Sequence, residues 1–169
     1  MSDEIVFTTV HGSRLYGLNH AQSDEDNMIV YEGKREPLHK HTGKLDVIHV
    51  GLPNLLELTY KGSLQFMEGS FSHQKVWVDT SWRPMFDSLR VPVTAVRDQY
   101  FHRIEAFIKI DTQKARQHAV RLGLTLRDLR INDGWYDPTL THEQKVLVQT
   151  TAATTHGRAL YERIRERII

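Results

Sequence analysis

The rhythm of apolar and polar residues changes along this chain. Ile5-Val6-Phe7-Thr8-Thr9-Val10 is β-branched and apolar, as a buried strand requires. Residues 23–31, ending in Met28-Ile29-Val30-Tyr31, and Leu45-Asp46-Val47-Ile48-His49-Val50 predict two more strands. The polar stretch 32–44 between them, with Gly33, Pro37 and Gly43, predicts a loop. A helix over 54–61 opens after Pro53 with Leu55, Leu56 and Tyr60 as its buried residues, and 64–67 predicts a short turn. From Thr94 the period becomes helical, because Val96, Tyr100, Phe101, Ile104, Phe107 and Ile108 recur at three- and four-residue steps. A second helix follows over 112–128. The last opens at Thr141, whose hydroxyl and the Gln144 side chain form a capping box, and runs towards Ile169 with Val146, Leu147, Leu160, Tyr161 and Ile164 inward.

This order predicts an α/β (α+β) fold: a small mixed sheet over 1–92, followed by a helical region over 93–169 packed on it. At 169 residues the expectation is one compact domain. Composition adds exclusions. The 22 basic and 21 acidic side chains leave a net charge of +1, so no bulk field argues for nucleic acid. The absence of cysteine rules out thiol catalysis and cysteine-bound zinc. No apolar run approaches a membrane span, and the N-terminus lacks a basic region followed by an apolar one, so the expectation is a cytoplasmic protein with no membrane partner.

The densest chemistry lies in His11-Gly12-Ser13-Arg14-Leu15-Tyr16-Gly17 and in Ser23-Asp24-Glu25-Asp26. Gly12 and Ser13 fall where the first strand ends, and free N–H groups with a serine hydroxyl at such a turn suit an anion. Asp24 and Asp26, alternate residues of a strand, would project from one face with Cα atoms about 6.5 Å apart. Glu25 would point the other way. Oxygen-only ligands suit Mg²⁺ or Mn²⁺, and two ions about 3.5–4 Å apart would clamp the oxygens of a phosphoryl transfer. Asp46, enclosed by Leu45 and Val47, is either a third acidic ligand or a residue on a solvent-facing side of its strand; Asp24 and Asp26 favour the ligand reading. Lys114, His118 and Arg121 share one helix stripe that would grip phosphates or form a solvated polar face.

Other groups read more simply. His39-Lys40-His41 has chelate spacing without a nearby third ligand and is set aside as a metal site. Arg158, Arg163, Arg165 and Arg167 alternate with Glu162 and Glu166, as an ion-paired helix surface does. Trp77 and Trp82 suit core packing more than base stacking.

Gly12-Ser13, then Ser23-Asp24-Glu25-Asp26, then Asp46 on a later apolar strand resemble the signature of the DNA polymerase β-like nucleotidyltransferase superfamily. More narrowly, residues 11–17 resemble its branch of predicted nucleotidyltransferases linked to RNA repair, and Lys114, His118 and Arg121 look like that branch's basic helix. The resemblance implies that Asp24, Asp26 and Asp46 are catalytic and hold two divalent ions. It also implies that Gly12, Ser13, Arg14, Lys114, His118 and Arg121 bind a nucleoside triphosphate such as ATP. Transfer of the nucleoside monophosphate to an acceptor hydroxyl, RNA and transfer RNA among the acceptors, would release pyrophosphate. Glu25 and Asn27 are polar where the superfamily usually has apolar residues, which calls into question the burial of that strand's back face. The competing expectations are a nucleotide- or RNA-binding module without turnover and a transferase acting on a protein partner.

Overall fold

The computed structural model describes residues 4–169. The chain divides into two compact units: residues up to Arg90 with Asp137–Thr139, and Val91–Tyr136 with Leu140–Ile169. The architecture is the mixed sheet with a helical C-terminal region that the alternating patterns predict.

The first unit is built on five strands, β1 (Ile5–Val10), β2 (Glu25–Tyr31), β3 (Leu38–Thr42), β4 (Leu45–Gly51) and β5 (Val76–Trp77), in the order β3-β4-β2-β1-β5. Only β2 and β4 run parallel; the other pairs are antiparallel. Four helices join them: α1 (Gly12–Tyr16), α2 (Leu52–Tyr60), α3 (Leu64–Phe71) and α4 (Arg83–Asp87). Side chains alternate between faces along a strand, and one face is closed: Phe7, Met28, Val30, Ile48 and Val50 are all fully buried. There α3 approaches so closely that a Cβ at Gly69 would stand 2.7 Å from the Met28 sulfur. Trp77 packs with Phe7 and Phe86, ring centroids 5.0 and 5.6 Å apart, which is core packing. The opposite face carries Thr8, Asn27, Ile29, Tyr31, Val47 and His49, all half-exposed.

The second unit holds α5 (Val93–Ile110), α6 (Gln113–Ile131), α7 (His142–Thr154) and α8 (Gly157–Arg163), closed by a π turn over Ile164–Ile168. Thr112 caps α6, and the Thr141–Gln144 capping box opens α7 as read from the sequence. Buried Arg116 ties the bundle together: its Nε donates to the Ala152 carbonyl at 2.6 Å, and a terminal nitrogen reaches Asp111 Oδ1 at 3.0 Å. Arg158 pairs with Glu162 at 2.8 Å, as expected of an ion-paired helix surface.

Several expectations are corrected. The polar stretch 32–44 contains β3, an edge strand whose five side chains are all exposed. It forms through its ladder to β4 and the Gly43-Lys44 turn, where Gly43 has φ 62°, and no apolar alternation announces it. The short turn at 64–67 is the eight-residue helix α3. The single C-terminal helix is broken, because Thr155 and His156 are extended and Gly157 has φ 52°. Tyr60 and Val146, expected inside, are exposed.

At the end of β4 the segment around Gly33–Arg35 lies directly against Gly51, whose N–H donates to the Arg35 carbonyl at 2.9 Å. A Cβ at Gly51 would collide with the Gly33 carbonyl and the Arg35 nitrogen. Gly51→Ala is expected to destabilise the protein by about 1–3 kcal/mol, as overpacking does, read as a lower urea midpoint at unchanged slope.

Candidate active site

β2 and β4 are parallel and in register, and that register sets Asp26 beside Asp46. Because they share a face with Met28, Val30, Ile48 and Val50, the two carboxylates stand at the mouth of the closed face, both half-buried. β1 ends beside them. The His11 N–H donates to the Asp26 carbonyl at 2.9 Å, and Gly12 follows with φ 67°. A Cβ at Gly12 would collide with the Asp26 carboxylate, so glycine is required both by the backbone conformation and by that contact.

Two residues that sequence reasoning did not select complete the cluster. Glu68 of α3 is buried, and its Oε2 accepts the Gly12 N–H at 2.9 Å. The imidazole of His11 is buried, and neither ring nitrogen meets hydrogen-bond geometry. Burial pushes the His11 pKa below the ordinary histidine value, against the opposing pull of Glu68, Asp26, Asp46 and the Asn27 backbone. Burial also raises the Asp26 pKa; His11 opposes this, while Asp46, Asp24 and Glu68 add to it. The sequence did hold a signal for Glu68: a carboxylate between Phe66-Met67 and Gly69 poses the same burial question as Asp46 between Leu45 and Val47.

The remaining expected residues are placed differently. Asp24 precedes β2, so strand alternation does not fix its face; it is exposed, and its carbonyl accepts from Arg14 Nε at 3.2 Å. Arg14 also pairs with Glu25 at 3.3 Å. The Gly12 N–H, expected to meet phosphate, is engaged by Glu68. Ser13 is half-buried in the first turn of α1. Lys114, His118 and Arg121 lie on α6, in the second unit. Their stripe is not a uniformly solvated face: Lys114 is exposed, His118 stacks on Phe107 with centroids 5.1 Å apart, and Arg121 is buried.

Among the described residues, no group of three or more histidine, aspartate or glutamate side chains is placed to hold a metal ion. Mg²⁺ does not need such a cage, because it is commonly held by one or two carboxylates together with substrate phosphates. Asp26 and Asp46 fit that role in donor chemistry; burial is the main cause that raises the Asp26 pKa, and the smaller repulsion from Asp46 is what a divalent cation would relieve.

Burial, with Arg121 and Lys114, lowers the His118 pKa from 6.5 to about 4. Between these values the unfolded chain binds a proton that folded His118 refuses, so this group's contribution to stability is present above pH 6.5 and lost as pH falls towards 4. A ring-nitrogen NMR titration is expected to show His118 neutral down to about pH 4, and Lys114→Ala to move its midpoint upward. No protein-family model and no curated protein matches this chain.

Proposed function

We propose that the first unit is the core of a metal-dependent nucleotidyltransferase, which moves a nucleoside monophosphate from a nucleoside triphosphate to an acceptor hydroxyl and releases pyrophosphate. The observation that carries this reading is the register of β2 on β4, which pairs Asp26 with Asp46 beside Gly12. Bound to Asp26 and Asp46, Mg²⁺ or Mn²⁺ would supply electrostatic stabilisation of the phosphate charge. The chain's own residues position and accept protons. Gly12 leaves the Asp26 carboxylate room beside the turn, while Glu68 fixes that turn through the Gly12 N–H. The acceptor oxygen bonds to the α-phosphorus as the bond from phosphorus to the pyrophosphate oxygen breaks, and the hydroxyl proton passes to the Asp46 carboxylate. Ser13 and Arg14 follow Gly12 on α1 and supply a hydroxyl and a cation for the triphosphate, Arg14 exchanging Glu25 for phosphate.

A second reading is a nucleotide-binding module without turnover. It is favoured by the Glu68 carboxylate, which occupies the Gly12 N–H that phosphate would use. Incubation with α-labelled triphosphates, Mg²⁺ or Mn²⁺, and a panel of RNA, DNA, protein and small hydroxyl acceptors separates the two. Label is expected to move to an acceptor, and Asp26→Asn or Asp46→Asn to reduce transfer by at least about a hundredfold, as loss of a metal-binding electrostatic group does. Independently of turnover, Mn²⁺ is expected to raise the melting temperature of the wild type and not of Asp26→Asn. Transfer unchanged in both variants overturns the site. Metal-dependent triphosphate binding with no pyrophosphate released across the panel favours the binding module.

A further inference from the structure

Lys75 stands just before β5, in surroundings that suit an amine better than an ammonium. The residue is half-exposed, yet its Nζ lies between two rings, 5.6 Å from the Phe7 centroid and 5.3 Å from that of Phe86. Both rings are buried and pack edge to face with centroids 5.1 Å apart, which fixes this aromatic wall. One protein oxygen meets the nitrogen: Nζ donates to the Ser72 carbonyl at 2.5 Å. That carbonyl is held in place, because Ser72 Oγ accepts the Gln74 N–H at 3.1 Å and is hydrogen-bonded to the buried Thr9 hydroxyl at 2.8 Å.

Among the described residues, no carboxylate forms an ion pair with Lys75. Asp87 of α4 acts on it from further away, and is itself paired with Arg83 at 3.6 Å. The rings stand near the outer limit of about 6 Å for cation–π attraction and return little of the lost hydration. Burial therefore lowers the Lys75 pKa from 10.5 to about 8, against the pull of Asp87. An ammonium carries three N–H donors, and here it finds one acceptor. A secondary amide at Nζ would keep one N–H for the Ser72 carbonyl and bring no charge to the aromatic wall. A Schiff base meets the same place less well: protonated it retains the cation, and neutral it has no N–H to donate. The site thus selects an acyl donor over an aldehyde.

We propose that Lys75 is a site of covalent acylation, its Nζ taking the acyl group of an activated thioester. The free amine attacks the thioester carbonyl carbon. The carbon–nitrogen bond forms, the carbon–sulfur bond breaks with its electron pair leaving on sulfur, and the proton released from nitrogen goes to the departing thiolate. This site goes beyond the proposed transfer reaction and needs neither nucleotide nor metal, so the two ideas fail separately. The test is incubation of the whole protein with an acetyl thioester over a series of pH values, folded and unfolded in guanidinium chloride, with the rate at Lys75 read from peptide masses. At pH 8 about half of folded Lys75 is free amine, against less than about 1% of a lysine in water. Folded Lys75 is expected to react about tenfold faster there than in the unfolded chain, and its rate to level off above about pH 9. Asp87→Asn, at an exposed position on α4, removes the charge that holds the proton on Lys75 and is expected to move that plateau to lower pH. Melting curves establish that the variant is folded. A folded rate no greater than the unfolded one, a rate still climbing above pH 9 in parallel with the unfolded chain, or an unmoved profile in Asp87→Asn overturns the proposal.

Discussion

The first unit depends on one pairing, β2 against β4 in parallel register. It decides which residues are buried, which carboxylates become neighbours and which aromatic rings meet. A slip of one residue would turn the strand over, bringing Asn27, Ile29 and Tyr31 inside and exposing Met28 and Val30. Four fully buried apolar side chains oppose that slip, each contributing about 1.5–3 kcal/mol. The repulsion they tolerate is smaller. Two unit charges about 4 Å apart repel by about 1 kcal/mol in water and about 4 kcal/mol at an effective dielectric near 20. Packing therefore holds Asp26 beside Asp46 without a counter-ion, and leaves their charge available for one.

The same register gives the sheet two different faces. On the closed one, α3 brings Gly69 onto Met28 and Glu68 to Gly12, so the packing that closes the core also delivers a carboxylate to the turn after β1. The open face places Tyr31 and His49 where β2 and β4 end, under the segment that carries Arg35. Two carboxylates on one side and a hydrogen-bonded aromatic pair on the other follow from period-two alternation in two strands.

Much of this was legible in the residues. The β-branched runs located β1, β2 and β4, and the helical period located α5, which buries the single stripe Val96, Tyr100 and Ile104; α6 is buried on every side over residues 119–126. β3 was invisible because an exposed edge strand has no apolar face to reveal it. Asp26 and Asp46 were legible as carboxylates inside apolar runs. Their adjacency was not, since it depends on strand pairing across a polar segment. Asp24 stands one residue before β2, so alternation does not fix its face, although its charge still acts on Asp26. The polar Glu25 and Asn27 did anticipate the uncovered back face. His11 stands in the motif of residues 11–17 without a role of its own, and Glu68 stands outside every motif, because their roles arise from burial beside Gly12, which no spacing encodes.

The first unit is not one continuous piece of chain. Asp137–Thr139 belong to it, and the Thr139 hydroxyl donates to the Leu15 carbonyl at 3.3 Å and lies 3.2 Å from His73 Nδ1. During synthesis, at roughly 5–20 residues per second, the strands and α3 therefore emerge seconds before the tripeptide that completes their unit. A chain ending at Arg90 would carry the acidic cluster with the Leu15 carbonyl lacking its Thr139 partner. Final consolidation of the N-terminal half thus waits on most of the C-terminal half being made.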